Sequence, residues 1–171
     1  MTDDDLFQAT VPVFKHYIQR IKAIVSQLDD KQIPLLTSAL SPDTFCAGQH
    51  LKIAQGYALR TIFPLLDQAI PELDQDGHKA QCLLERCNTA QRLLDPITKA
   101  NFVGANSRTI KHTAGMAELA QTATGFVTLY AVPNFYFHLT MGYATLRQAG
   151  IPLGKGDFDG HHSYPQGFSF S

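Results

Sequence analysis

Long apolar runs, a surplus of either charge and paired cysteines are all missing from this chain of 171 residues. No apolar stretch approaches the roughly 20 residues that cross a bilayer, so no membrane partner is expected. Lys and Arg number 14 against 15 Asp and Glu, for a formal net charge of -1. Counterion-driven binding to nucleic acid needs a basic face, and this balance supplies none. Cys46, Cys82 and Cys87 form an odd set without a CxxC pair and read as reduced thiols, which points to the cytoplasm. The opening Met1-Thr2-Asp3-Asp4-Asp5 is acidic where an export signal is basic, and points the same way. No paired carboxylates stand on an inward seam, which excludes the di-iron carboxylate bundle. The segment Gly150 to Gly156 lacks the GxxxxGK[ST] spacing of a phosphate loop and reads as a turn that opens no helix.

What the chain does have is helical periodicity. Phe7, Val11, Phe14, Ile18, Ile21, Val25 and Leu28 recur in steps of three and four and predict one long helix with a buried stripe. A second stripe runs through Leu51, Ala54, Ala58, Ile62, Leu65 and Ala69, with Pro64 predicting a kink. A third runs through Ala80, Leu83, Cys87, Ala90, Leu94 and Ile97. Between 101 and 125 the period is lost, and the alternation Arg108-Thr109-Ile110-Lys111-His112-Thr113 predicts a hairpin turning near Gly115. The last helix, from about Thr124 to Ala149, is apolar on most sides and carries Pro133; Gly150 suits the left-handed position that ends it. The fold class expected is all-α, a four-helix bundle over residues 1–153 with a small β-hairpin insertion between helices three and four. The segment 154–171 has no stripe and is expected as an extended or disordered tail. Phe126, Leu129, Tyr130, Phe135, Tyr136, Phe137, Leu139, Tyr143 and Leu146 cover more sides of the last helix than one core can, and this predicts a homodimer.

The chemistry-bearing pair is Asn134 and His138. A heptad projection places Val127, Ala131, Asn134, His138, Met141 and Thr145 on one inward line. Each buried polar group then needs a partner, at a cost of about 1 to 3 kcal/mol if it has none. That partner is a ligand, a metal, or another core group such as the Leu129 carbonyl that Pro133 leaves without a donor. His50 falls off the stripe of its helix and reads as a surface or boundary residue. Cys46 precedes that helix with His50 one turn on, but buried packing is the ordinary role of a free cysteine. The tail cluster Asp157, Asp159, His161 and His162 has ligand chemistry, yet a Gly-rich segment loses conformational entropy on closing round an ion. No catalytic residue is assigned from the residues alone.

Three segments, Phe7-Gln-Ala-Thr-Val-Pro-Val-Phe14, Ser41-Pro-Asp-Thr-Phe45 and Val132-Pro-Asn-Phe-Tyr-Phe-His-Leu-Thr-Met-Gly-Tyr-Ala-Thr-Leu-Arg147, resemble an uncharacterised bacterial domain-of-unknown-function family grouped with the DinB/YfiT-like four-helix bundles. The resemblance extends to about Phe158 and implies an often dimeric bundle within a superfamily described as metalloenzymes. Metal-bearing members take one His from the second helix and a His-x-x-x-His pair from the last. In that alignment Asn134 stands at the first position of the pair, His138 at the second, and Lys52 near the second-helix position, about 200° round the helix from His50. The resemblance therefore implies an incomplete triad, with His138 and His50 the candidate metal residues and Asn134 and His138 the candidate ligand-binding residues.

Two classes of function remain open. One is an enzyme similar to metal-dependent transferases that add low-molecular-weight thiols to small electrophiles, using zinc or nickel at His138. The other is a metal-free, non-catalytic dimeric bundle that binds a small apolar ligand or a protein.

Overall fold

The computed structural model describes residues 1–73, 77–165 and 168. Among them are four long helices and one two-stranded sheet. The first stripe does not make one helix. It is divided into α1 (Asp3–Gln8) and α2 (Val11–Ser26), because Pro12 has no N–H and its ring cannot share a helix with the carbonyl four residues back. Thr10, fully buried at the break, donates its hydroxyl to the Leu6 carbonyl at 2.6 Å. The apolar spacing survives the break, and Val11, Phe14, Ile18, Ile21 and Val25 are all buried.

A 3-10 turn, Ile33–Thr37, leads to α3 (Ala47–Leu65). Pro64 ends this helix instead of kinking it, and Ala69, expected on its stripe, is exposed beyond the end. Thirteen of the nineteen residues of α3 are buried, so this helix is enclosed on more than one side. α4 (Ala80–Leu94) buries Leu83, Cys87, Ala90 and Leu94 as its spacing predicts, and packs on α2 and α3.

The hairpin is antiparallel, β1 (Thr109–Ala114) with β2 (Ala117–Thr122), and Ala114 faces Ala117 across a two-residue turn. Gly115 takes φ +62° at the first turn position, a conformation that suits glycine and matches the twist of a hairpin. Arg108 fixes its base by donating to the Leu65 carbonyl at 2.6 Å. The last helix is composite. A short turn, α5 (Ala123–Gly125), passes into a π-helical segment, Phe126–Ala131, and then into α6 (Val132–Gln148). The widened segment lies directly before Pro133, which has no N–H for the turn behind it.

α6 lies along α3 in the most extensive helix pairing of the molecule. A Cβ added to Gly142 would stand 2.8 Å from Leu51 Cδ2 and 3.3 Å from the Ala47 carbonyl oxygen, so only glycine lets the two backbones approach this closely. In place of an extended segment, residues after Gly154 form α7 (Lys155–Asp159), so the turn after Gly150 does open a helix. His16 Nε2–H donates to the Asp159 carbonyl at 2.7 Å and Arg20 Nε to the Asp157 carbonyl at 3.0 Å, which clamps α7 on α2. The rest of the expected tail, 166–167 and 169–171, lies outside the described residues, as do 74–76 in the connection before α4.

Elements of the same chain cover most of the aromatic surplus on the last helix. Tyr136 meets Tyr17 of α2, Tyr143 meets Phe158 of α7, and Phe126 and Tyr130 meet His112 of the hairpin. Leu129 and Phe137 remain 76% and 54% exposed.

Gly142→Ala should lower stability by about 1 to 3 kcal/mol, because the new methyl must displace Leu51 or separate the helices. A denaturant melt at constant m-value checks this, and an unchanged midpoint would show that the two helices have slack at this contact.

Candidate functional site

The close approach of α3 and α6 brings two imidazoles together. His50, on the first turns of α3, and His138, one turn before Gly142 on α6, face each other with their Nδ1 atoms 3.0 Å apart. His50 is 2% exposed and His138 9%. The expectation that His50 is a surface or boundary residue is therefore corrected. The stripe rule assumes one buried face, whereas α3 sends Leu51 to Gly142 of α6 and Gln55 to Leu83 and Cys87 of α4.

One hydrogen must lie between the two Nδ1 atoms, since two bare nitrogens repel and two N–H groups cannot bond. Burial, then the nearby His50 and the Arg60 guanidinium, push His138 down to about 4 from the ordinary 6.5. Burial lowers His50 as well. Both rings are neutral at pH 7. His50 Nε2 is enclosed and has no hydrogen-bond partner. Two aromatic rings at the surface pack against the His50 ring, Phe45 edge-on at 5.7 Å and Phe137 at 6.0 Å between ring centroids, the first 50% exposed.

On the other side Tyr57 stacks on His138 at 5.8 Å. Its hydroxyl lies 3.3 Å from that of Tyr130, and Arg60 caps its outer face at 4.4 Å. Burial and the neighbouring phenol push Tyr57 up to about 12, so it stays protonated. Tyr130 in turn packs 4.2 Å from His112, whose Nε2–H donates to Gln121 at 2.8 Å and whose buried Nδ1 has no partner. Sequence reasoning missed Tyr57, Tyr130, Phe45, Phe137 and His112. A signal was present for the first, because Tyr57 follows His50 by seven residues, two turns along one helix face.

Asn134 is not brought to His138. It is half-buried, and its amide donates to the Tyr130 carbonyl at 2.7 Å, not to the Leu129 carbonyl. Met141, placed on the same inward line, is also only half-buried, because the buried stripe of α6 runs through Phe135, His138, Leu139, Gly142, Thr145 and Leu146 and leaves Asn134 and Met141 at its edge. Cys46 is buried at the start of α3 and its backbone N–H donates to Gln49. Cys87 accepts from Gln55 at 3.0 Å, and burial pushes its thiol up to about 12, out of nucleophilic range. The tail residues serve α7. Asp157 accepts from the Gly154 N–H, and Asp159 accepts from the N–H groups of His161 and His162 and pairs with the His162 ring, which holds its carboxyl well below the usual range.

A catalytic zinc usually takes three protein ligands and keeps one position open. The His50–His138 pair offers two nitrogens that already satisfy one another, and Asn134, one turn before His138, has its amide committed to the Tyr130 carbonyl. Among the described residues no group of three His, Cys, Asp or Glu converges on one point. The donor set does not fit a three-ligand metal centre.

The model of a family described as a domain of unknown function, DUF1993, matches residues 6–159. A DinB family member from Shewanella denitrificans superposes with a TM-score of 0.80 at 27% identity, over 95% of this chain and 96% of that one. Two curated relatives are bifunctional proteins GlmU. That of Burkholderia ambifaria is 33% identical over 92 residues, and that of Burkholderia orbicola 30% over 118, which is 54% and 69% of this chain. The matched region spans only 19% and 22% of those two proteins. Among the described residues no helix is long and apolar enough to cross a membrane.

Neutral folded-state histidines make stability depend on pH with a definite sign. Their contribution is fully present above the unfolded value near 6.5 and is lost as pH falls from there through about 4, where the unfolded chain binds protons that the folded one refuses. The melting midpoint should fall across that window, and His138→Asn should flatten the fall. A melt series on both proteins reads this directly. His138→Ala at pH 7 should cost about 1 to 3 kcal/mol by leaving His50 unpaired.

Proposed function

The chain belongs to the DUF1993 family and has the DinB-like bundle, and within that frame we propose that it binds a small, mainly apolar molecule at the His50–His138 pair without a resident metal. The observation that supports this most directly is the enclosed, unpartnered Nε2 of His50, whose ring packs against Phe45 and Phe137. A buried polar nitrogen without a partner is costly, and a ligand hydroxyl or N–H would remove that cost. Half-exposed aromatic rings packed on an imidazole with an unpartnered nitrogen suit a ligand with an aromatic or aliphatic body and one donor. Metal-dependent thiol transfer, the other reading of the family likeness, has less support, because it needs a third ligand where Asn134 stands.

Two further features accompany this reading. Cys46, Cys82 and Cys87 are free thiols and suit a reducing cytoplasm. Leu129, 76% exposed, is the apolar part of the last helix left free by the ligand site, the place where a second copy would pack in a homodimer.

Phenol is the simplest probe of the site, because it joins an aromatic body to one O–H donor. In protein labelled with 15N at histidine, millimolar phenol should shift His50 Nε2 saturably, and His50→Leu should abolish binding. No shift would overturn the reading. So would one zinc per chain that survives gel filtration and is lost in His138→Ala, in favour of the metal-dependent alternative. Light scattering at micromolar concentration should give twice the chain mass, and a monomer would remove the homodimer.

A further inference from the structure

A cavity of about 730 Å³, within the size range of small-molecule sites, opens between the 3-10 turn Ile33–Thr37 and the start of α4. Ile33, Pro34 and Leu36 line one wall, and Gly77, His78, Lys79 and Cys82 the other. Gly48 of α3 sets both walls in place. A Cβ there would stand 2.6 Å from the His78 carbonyl oxygen and 3.2 Å from that of Leu36, so the two segments rest against bare helix backbone. The cleft is therefore fixed by the packing of α3.

The two walls differ in chemistry. The first is aliphatic, and its one hydroxyl, on Thr37, is committed to the Pro34 carbonyl at 2.8 Å. The second carries a cation. Lys79 is exposed and joins no ion pair among the described residues, and no described carboxylate lines the cavity. Lys79 is also the residue before the first turn of α4 and supplies no side-chain cap, so the partial positive charge of that turn adds to its own. A hydrocarbon wall facing a cation with no acid beside it suits a molecule with an aliphatic body and one negative group. No Phe, Tyr or Trp among the described residues lines the cavity, in contrast to the Phe45 and Phe137 rings packed on His50.

We propose that this cleft is a ligand site separate from the imidazole pair, and that it takes a medium-chain aliphatic carboxylate. The chain lies against Ile33, Pro34 and Leu36, and the carboxylate meets Lys79. Removal of the chain from water supplies the affinity, and the cation selects the charged end. No bond is made or broken. Cys82 reports occupancy, because its Sγ lies on the cleft wall, where a Cβ on Gly77 would stand 2.9 Å from it. Cys82 is half-buried, whereas Cys46 and Cys87 are buried.

The test uses octanoate and the full chain. Iodoacetamide, a small neutral reagent, alkylates the native protein, and mass spectrometry follows the rate at Cys82. Millimolar octanoate should slow that rate saturably. Octanol, with the same chain and no charge, should need a concentration about tenfold higher, and Lys79→Gln should raise the half-protecting concentration of octanoate about fivefold. Phenol, the probe of the imidazole pair, should leave Cys82 unprotected, and octanoate should leave His50 Nε2 unshifted. No protection by octanoate would overturn the proposal. Equal protection by octanoate and octanol, unchanged in Lys79→Gln, would also overturn it, by showing an apolar crevice that selects no anion. Protection by phenol at the same concentration would overturn the choice of an aliphatic ligand. Should Cys82 resist alkylation in the free protein, saturation-transfer NMR of octanoate decides the matter. Transfer weakened in Lys79→Gln is then the expected result, and transfer absent, or equal in the two proteins, is the one that overturns it.

Discussion

The contact of α3 with α6 at Gly142 is the constraint from which the rest of the site follows. With no side chain at 142, Leu51 and the Ala47 carbonyl can press against the α6 backbone. His50 lies between those two residues in sequence, and His138 lies one turn from the glycine. The two imidazoles meet because the helices that carry them are as near as backbones permit. An inserted methyl would act on the Nδ1–Nδ1 distance without touching either ring, so packing and site chemistry are one quantity here.

The burial of the histidines then sets their electrostatics. In water either ring would titrate near neutrality, whereas here burial and mutual proximity keep both uncharged. A neutral pair has one hydrogen to share and two outer nitrogens to offer. The aromatic residues around it, Phe45, Phe137 and Tyr57, supply bulk and exclude water while donating nothing to Nε2 of His50. Asn134, one turn before His138, is held by its own helix.

Local rules read the fold well wherever one face of a helix is buried. The stripes of α2 and α4, the hairpin about Gly115 and the stop at Gly150 all follow from spacing and turn chemistry, and the structure has them. The same rules misplace His50, because α3 is enclosed on several sides and a single-stripe projection assigns its second buried face to solvent. They also split nothing at Pro12, since apolar spacing continues across a break that only the missing N–H imposes. The aromatic excess on the last helix was legible, but not its covering by the hairpin and α7, which depends on long-range contacts such as those of His16 and Arg20 with α7. His138 was legible as an inward polar group, while its partner lies 88 residues away and no local pattern could name it.

The wide turn from Phe126 to Ala131 carries a consequence of its own. A π-helical turn holds about one residue more than an α turn, so it acts as a phase shifter between the two halves of the last helix. The wide turn itself presents Phe126 and Tyr130 to the hairpin, and downstream of it the helix presents His138 and Gly142 to α3. In an unbroken α-helix one residue corresponds to about 100° of rotation, enough to turn Tyr130 away from Tyr57. A chain shorter by a single residue here could keep its imidazole pair and its bundle, yet lose the phenol contact that links them to the hairpin.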